Sequence, residues 1–503
     1  MRRRGRFLLT LASLLLAVAP AAAATFTVND TADAVDAMLG DGTCATAGNT
    51  CTLRAAIQEA NAHTGADTIM VPAGTYLLMI PGRGEDAAAM GDLDITDDVT
   101  ITGAGADSTI VDGNGIDRVF EIVNSAAVVA MSSLTIQNGD PGPVALDTDG
   151  GGLYNQGTLT LSDVVVASNT ASAGSGGGVS NVSELTLTGC TVSGNTAALS
   201  GGGIDNLITV TLTNVTVSGN MSGNTPGAGG GGIANDNNFA LATLTNVTIA
   251  DNSAAPGSGG GFYNLGRPDS MGGATLRYVI VANSPPGDTC AGSGTLTSQG
   301  HNLDSGNTCG FAGPGDLVNM DPQLGPLQDN GGHTPTQALL PGSPAIDAGG
   351  DDCPPPATDQ RGFPRPEDGN GDGMATCDIG AFELGGTAPG CLSSPTIASI
   401  DCRLDQLIQT VQMVVPPGAL QGGLVKILMR AKAQTAQAQQ AFANGKKRRE
   451  KAMLGRANGS LGKFNARLRT RKAQKQIPGD ALTGMKSAAS QLRQDLTTLR
   501  RSS

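Results

Sequence analysis

One short unit, repeated five times between residues 150 and 283, constrains this fold more than any other feature. Each copy opens with a run of glycines, continues with an apolar residue, and has Asn two positions after that residue. The runs begin at Gly150, Gly176, Gly201, Gly230 and Gly259, so successive copies start 25 to 29 residues apart. A repeat of this length is typical of a solenoid, in which each copy packs only on its neighbours.

The residues after each glycine run identify the kind of solenoid. Apolar residues alternate there with Thr or Ser, as in Leu159-Thr160-Leu161-Ser162, and this period of two is that of a strand with one buried face. Gly and Asn between the strands suit corners that need a left-handed backbone. The repeat therefore predicts a parallel β-helix. Its interior would hold two ladders of Asn amides: Asn155, Asn181, Asn206, Asn235 and Asn264, and Asn169, Asn195, Asn220 and Asn252.

The N-terminus has the pattern of a secretion signal. Four arginines precede an apolar stretch from Phe7 to Val18, and small residues follow up to Ala24. The apolar stretch is too short to cross a bilayer. We therefore expect residues 1–24 to be a signal peptide. The mature chain is expected to be exported and either secreted or associated with the cell surface, with the periplasm as an alternative, and to contain no transmembrane segment.

The chain has nine cysteines, which suits an oxidising compartment. Eight of them form sequence-local couples that predict disulfides: Cys44 with Cys51, Cys290 with Cys309, Cys353 with Cys377, and Cys391 with Cys402. The ninth, Cys190, occupies the position of Val164 and Val215 in other copies of the repeat. A thiol at such an inward position behaves as a small apolar side chain.

Charge divides the chain into two parts. Residues 25–390 contain 7 basic and 39 acidic residues, whereas residues 391–503 contain 20 basic and 5 acidic residues. Opposite charges suggest separate domains. We predict a mainly β domain at 25–384, with a capping helix near residues 52–62 and a C-terminal closing segment. A linker at 385–390 follows, and then a basic α-helical domain at 391–503 with helices at 424–442, 445–471 and 481–499.

Two groups of motifs resemble known exported proteins. Residues 51–61 (CTLRAAIQEAN) resemble the CSLREA-type start of secreted bacterial β-helix proteins, with departures at Thr52 and Ala55. The far end is similar to choice-of-anchor Q proteins in DPQLGPL at 321–327, DNGG at 329–332, PGSPAIDAG at 341–349, DQRG at 359–362 and CDIGAFE at 377–383. The resemblance implies a right-handed parallel β-helix on an exported, surface-associated protein, and it implies no catalytic residues.

One stretch has the spacing of metal ligands. Asp368, Asn370 and Asp372 place oxygen atoms at alternate positions around turn glycines, as in the first half of a calcium loop. Position twelve of an EF-hand loop would be Ile379 instead of Glu, so the stretch does not match that motif. We predict a structural calcium site completed by Asp378 or Glu367. The alternative is a solvated turn.

The regular copies show no stacked catalytic residues. Asp163, Asp205, Asp236 and Asp251 occupy different positions in their copies, and glycoside cleavage needs paired carboxylates. The leading hypothesis is therefore a non-enzymatic exported protein that associates with the cell envelope or mediates adhesion. The alternative is a polysaccharide lyase or glycoside hydrolase on the β-helix.

The basic tail suggests how such a protein attaches. Its densest clusters are Lys446, Lys447, Arg448 and Arg449, and Arg467, Arg469, Arg471 and Lys472. Such clusters bind polyanions, so an envelope polysaccharide or another extracellular polyanion is the predicted partner, and intracellular nucleic acid is not. The alternatives are a solvated helix face and packing against the acidic solenoid.

Overall fold

The computed structural model describes residues 23–143, 148–223, 229–265, 272–284, 288–350, 353, 355–385, 397–416, 418–443, 446–477 and 479–502. A mainly β solenoid of about seven parallel turns is followed by a small helical domain. This architecture confirms the predicted fold class. Residues 1–22 of the predicted signal peptide and residues 386–390 of the predicted linker lie outside the described residues.

The first turns are capped by a helix. Helix α1 (Leu53–Ala62) begins after Thr52, whose side chain accepts a hydrogen bond from the Ala55 backbone N–H at 3.1 Å. Leu53, Ile57 and Ala60 of this helix are buried against the solenoid core. The strands of this part are β1 (Thr25–Thr27), β2 (Asp67–Val71), β3 (Gly74–Leu77), β4 (Leu93–Ile95), β5 (Val99–Gly103), β6 (Thr109–Asp112), β7 (Phe120–Ile122), β8 (Val128–Ser132) and β9 (Thr135–Gln137).

The five glycine-marked copies form the regular turns. Their strands are β10 (Leu153–Asn155), β11 (Thr158–Ser162), β12 (Val165–Ala167), β13 (Thr170–Ala171), β14 (Val179–Asn181), β15 (Glu184–Thr188), β16 (Thr191–Ser193), β17 (Thr196–Ala197), β18 (Ile204–Asn206), β19 (Thr209–Ser218), β20 (Met221–Ser222), β21 (Ile233–Asn235), β22 (Leu241–Ala250), β23 (Gly259–Asn264) and β24 (Gly273–Ala282). Shorter elements follow: β25 (Asp288–Ala291), β26 (Leu296–Ser298), β27 (Leu303–Asp304), β28 (Leu317–Val318), β29 (Leu324–Gln328) and β30 (Thr336–Leu339).

Three parallel sheets run along the solenoid. The long sheet has 17 strands, and the corner sheet consists of β13, β17 and β20. The short-strand sheet contains, in spatial order, β4, β7, β10, β14, β18, β21, β23 and β25. In β10, Leu153 and Asn155 point into the solenoid and Tyr154 points outward, so each short strand contributes its middle residue to one outward row.

Both Asn ladders exist in the interior. Each Nδ2 of the first ladder donates to Oδ1 of the next Asn at 2.7–2.8 Å, from Asn155 through Asn264. The second ladder does so at 2.9–3.0 Å, from Asn169 through Asn252. All nine side chains are buried. Because an amide both donates and accepts, each buried Asn is satisfied by its neighbours on the adjacent turns.

Glycine is required where the backbones of adjacent turns meet. Gly201 has φ +63°, which is accessible to glycine at little cost. At Gly202 a Cβ atom would lie 2.4 Å from the carbonyl oxygen of Gly231 on the next turn. The glycine run is thus explained by backbone angle at its first position and by close packing at its second.

The C-terminal part of the β domain packs along the flank of the solenoid. Its antiparallel hairpin, β29 with β30, and the segment after it cover an outward threonine row of the long sheet. Thr191 Oγ1 donates to the Pro335 carbonyl and Thr216 Oγ1 donates to Gln360 Oε1, both at 2.6 Å. The Ala381 N–H donates to Thr248 Oγ1 at 3.0 Å. The closing segment is therefore fastened turn by turn to the side of the stack.

The helical domain contains α2 (Ile397–Val414), α3 (Ala419–Ala443), α4 (Lys447–Leu468), α5 (Arg471–Gln476) and α6 (Gly479–Ser502). The four long helices contact one another in a closed cycle around buried residues such as Leu404, Leu424, Phe464 and Leu496. The sequence prediction missed α2. Its Ile, Val and Thr residues favour helix only weakly, and burial against α3 and α6 compensates for that.

The first ladder predicts a destabilised Asn206→Ala variant. Removing this amide takes the acceptor from Asn181 Nδ2 and the donor from Asn235 Oδ1. We expect the free energy of unfolding to fall by about 1–3 kcal/mol, which is typical of an unsatisfied buried polar group. Chemical denaturation followed by circular dichroism measures this change. Thr211→Ala, which removes an outward hydroxyl from the same turn, is the control, and equal losses in the two variants would contradict a stabilising ladder.

Candidate functional site

The outward row of the short-strand sheet concentrates the polar chemistry of the solenoid. Strand register places these residues one turn apart: Asp94, Glu121, Tyr154, Ser180, Asp205, Ala234 and Tyr263. Asp94 and Glu121 are adjacent, and adjacent strands lie about 4.8 Å apart. Glu121 and Asp205 belong to the same row three turns apart. The row is the candidate functional site because it aligns acidic and aromatic side chains.

Sequence reasoning missed the first two members of this row. It compared acidic residues only within the glycine-marked copies, and the turns that carry Asp94 and Glu121 have no glycine run. The available signal was a pair of triplets, Leu93-Asp94-Ile95 and Phe120-Glu121-Ile122. In each of them apolar residues flank a carboxylate, and the two carboxylates are one repeat length apart. The acidic residues of the glycine-marked copies do not stack on one another, because they occupy different positions in their copies: Asp163, Asp205, Asp236 and Asp251.

Three carboxylates converge at the start of the row. Asp92, Asp94 and Glu121 each place an oxygen within 4.8 Å of the others, and all three side chains are buried. Burial, with the nearby Glu121 carboxylate, raises the pKa of Asp94 to about 8. Burial and the charges of Asp94 and Asp117 raise the pKa of Asp92 well above its usual value. The ionised form of these carboxyl groups is therefore disfavoured unless a cation lies nearby, and without one the protonated form is favoured.

Arg118 supplies part of the compensation. Its guanidinium group forms an ion pair with Glu121, and its Nε lies 3.6 Å from Asp92 Oδ2. The same group lies over the ring of Tyr154, 5.4 Å from the ring centroid. Arg118 thus links the acidic cluster to the next outward residue of the row.

Arg54 fastens the loop that covers this cluster. It forms an ion pair with Asp33 at 2.6 Å and donates to the carbonyl groups of Ala88, Gly91 and Asp92. Both Arg54 and Asp33 side chains are 1–2 % exposed. The loop before β4 is therefore held from the cap side, and the carboxylates beneath it do not line an open cleft in this conformation.

Asp205 forms a second buried acidic position in the row. It is 3 % exposed, and its Oδ1 has no hydrogen-bond partner. Burial, followed by the charges of Asp236 and Asp149, raises the pKa of Asp205 well above its ordinary value. Ser180, the preceding residue in the row, is also fully buried, and its hydroxyl has no partner. A protonated Asp205 is the form that suits this environment.

The predicted calcium loop is an ordered turn. The Asp368 carboxylate accepts from the backbone N–H groups of Gly371 and Gly373, and Asn370 accepts from that of Asp372. The Asp378 carboxylate is buried and accepts from the N–H groups of Asp347 and Leu384, and the Asp347 carboxylate accepts from the N–H groups of Gly369 and Asn370 in the loop. Calcium at Asp368, Asn370, Asp372 and Asp378 stays a prediction.

The two predicted basic clusters lie at opposite ends of one helix. Lys446–Arg449 spans the start of α4, whereas Arg467, Arg469, Arg471 and Lys472 surround its end. All eight side chains are exposed. The helix is about 30 Å long at 1.5 Å per residue. The structure therefore shows two separate positive patches, and polyanion binding by them stays a prediction.

The cysteines follow the predicted pairing where the structure describes both partners. Disulfides join Cys44 to Cys51, Cys290 to Cys309, and Cys353 to Cys377. Cys391 lies outside the described residues, so its predicted bond to Cys402 stays a prediction. Cys190 is a buried free thiol, and burial raises its pKa to about 12. Such a thiol is unreactive at neutral pH.

Within the part of the chain that the structure describes, no helix has the length and apolar character needed to span a bilayer. No family model, curated protein or solved structure matches the chain. The resemblance to CSLREA-type and choice-of-anchor Q proteins therefore rests on the sequence motifs and on the parallel solenoid.

Asp205 predicts a specific pH dependence. Because its folded-state pKa is raised, its stabilising contribution is complete below the unfolded pKa and is lost as pH rises through the folded pKa. Asp205→Asn should therefore be more stable than the wild type at pH 8, by about 1–3 kcal/mol, with a smaller difference at pH 4. Denaturant midpoints across this range measure the difference. The exposed Asp107→Asn is the control, and a constant offset of Asp205→Asn at all pH values would refute the assignment.

Proposed function

We propose that the chain is an exported, non-enzymatic β-helix protein that associates with polyanions of the cell envelope through its helical domain. The observation that carries this proposal is the pair of exposed basic patches at the two ends of α4. Among the described residues, no ion pair involves any of these eight side chains, and the ion pair found between helices joins Arg403 to Asp495. Exposed cations without intramolecular partners are available to an external anion.

The solenoid has the opposite charge because residues 25–390 contain 7 basic and 39 acidic residues, and four of its arginines are used internally. Arg54, Arg118, Arg361 and Arg365 are all buried and pair with carboxylates. The acidic residues at its surface therefore dominate its external field. A polyanion would attract the helical domain and repel the solenoid. This difference supports an arrangement in which the solenoid projects away from the surface to which the helices bind.

The buried state of the outward acidic row supports a non-enzymatic role. Glycoside hydrolysis uses two carboxyl groups that flank the bond to be cleaved. Asp94, Glu121 and Asp205 are at most 6 % exposed, so a sugar chain has no access to them in this conformation. The exposed outward positions of the long sheet are mainly hydroxyl side chains, such as Thr188 and Thr243, which neither transfer protons readily nor hold a metal ion.

Polyanion binding predicts a salt-dependent affinity that depends on the two patches. Arg469→Gln/Arg471→Gln and Lys447→Gln/Arg448→Gln should each weaken binding of dextran sulfate and reduce the slope of log K against log salt by about 1–2, roughly 0.7–0.9 for each lost contact. Biolayer interferometry between 50 and 300 mM NaCl measures both quantities. Neutral dextran should not bind.

The matched control is Lys426→Gln/Arg430→Gln, which removes two exposed charges from α3. It lowers the total charge equally but leaves both patches intact. If all three double variants reduce affinity and slope to the same extent, binding follows net charge and the two patches are solvated surface. If the patch variants lower the melting temperature while the control does not, the basic residues pack within the protein.

A further inference from the structure

The acidic cluster at the start of the outward row has the composition of an ion site. Asp92 precedes β4, Asp94 lies within β4 and Glu121 lies within β7. Oxygens of all three approach within 4.8 Å of one another, although the three residues come from different turns and from a loop. These carboxylates are therefore held together by the fold of the first turns and do not share one flexible surface segment.

The charges of the cluster do not balance. Three carboxylates face one guanidinium, that of Arg118. Arg54 is nearby but is engaged by Asp33. Asp117 adds a further negative charge, and its Oδ1 accepts from the Arg118 backbone N–H. A buried group of this kind retains a net charge of at least −2 when it is ionised, and buried uncompensated charge is strongly unfavourable.

A buried, unpartnered oxygen atom within the cluster points to a bound cation. Asp94 is fully buried, and its Oδ2 accepts from the Ala88 N–H at 2.7 Å. Its Oδ1 has no hydrogen-bond partner. Nearly all buried polar atoms in proteins are satisfied, so such an atom requires an explanation. A bound cation would satisfy Asp94 Oδ1 and offset the excess negative charge together.

We propose that Asp92, Asp94 and Glu121 bind one calcium ion, which fastens the loop before β4 to the first turns of the short-strand sheet. The three side chains offer only carboxylate oxygens, the donors that hard cations prefer. Calcium accepts six to eight oxygens in irregular geometry, whereas magnesium requires a regular octahedron and retains several waters. A buried cluster of three carboxylates from a loop and two strands therefore suits calcium better than magnesium.

This site is separate from the loop at Asp368. It belongs to the N-terminal turns and the cap, whereas the Asp368 loop belongs to the closing segment. Each can be removed by one substitution that conserves side-chain size. Asp94→Asn retains an acceptor for the Ala88 N–H and removes the charge, so we expect this variant to fold. Glu121→Gln is the second variant, and Asp368→Asn is the matched control.

The first test measures calcium-dependent stability of the full chain after dialysis against EDTA. Millimolar calcium should raise the melting temperature of the wild type by about 2–5 °C, since a ligand that binds only the folded state stabilises it. Isothermal titration calorimetry should show one fewer bound calcium ion per chain in Asp94→Asn and in Glu121→Gln than in the wild type. Asp368→Asn should retain that ion and the thermal shift.

The second test locates the ion without relying on stability. Terbium replaces calcium in oxygen sites and emits when a nearby aromatic ring transfers energy to it. The chain has no Trp and four Tyr, and Tyr154 is the register partner of Glu121. Tyr154→Phe should abolish most of the sensitised emission while leaving calcium binding unchanged. Tyr263→Phe, in the same row but five strands from β7, should retain it.

Three results would overturn the proposal. The first is a wild-type protein whose melting temperature and titration heats do not respond to calcium. The second is a response that persists in both Asp94→Asn and Glu121→Gln and disappears in Asp368→Asn, which would place the ion in the closing segment. The third is terbium emission that survives Tyr154→Phe.

Discussion

The hydrogen bonds between buried Asn side chains are the interaction on which the rest of this structure depends. An amide inside an apolar solenoid is satisfied only if the amide of the next turn lies at the same height. The bonds from Asn155 to Asn181 and onward therefore hold the glycine-marked turns in one register. Once the inward residues are aligned, the outward ones are aligned as well. In the glycine-marked turns the outward row through Asp205 follows from this register, because a strand places successive side chains on opposite faces. Asp94 and Glu121 join the row through the pairing of β4 with β7 and of β7 with β10, in turns that carry no ladder Asn.

The closing segment uses the same regularity on the flank. Thr191, Thr216 and Thr248 are register partners, and each hydroxyl group contacts the closing segment at a different point. Farther along the segment, the Arg361 guanidinium lies between the rings of Phe363 and Phe382, 3.9 and 3.6 Å from their centroids, and pairs with Asp359. Motifs that resemble choice-of-anchor Q proteins therefore perform a structural task here. They bury a network of charges that joins the segment to itself and to the solenoid.

Much of the fold is readable from the sequence because its determinants are local. A glycine run, an Asn two residues after an apolar position, and the capping Thr52 each act within a few residues. The acidic row is harder to predict, since Asp94 and Glu121 become neighbours only after the irregular early turns are aligned with the regular ones. Helix α2 is harder still, because its stability comes from contacts with distant helices. The distances within the acidic cluster cannot be predicted from the repeat or from the order of the strands. They depend on the loop containing Asp92, which Arg54 holds in place from the cap.

Charge organises the two parts of the molecule in opposite ways. In the solenoid, arginines are scarce, and Arg54, Arg118, Arg361 and Arg365 are buried and pair with carboxylates that the fold has removed from water. Asp92, Asp94 and Glu121 exceed what Arg118 can neutralise, so this is where the fold needs an external cation or protons. In the helical domain, the basic residues at both ends of α4 are exposed to solvent. Water solvates their charges there, and the side chains are available for binding. The buried charges therefore bear on the stability of the stack, whereas the exposed charges bear on association with other molecules.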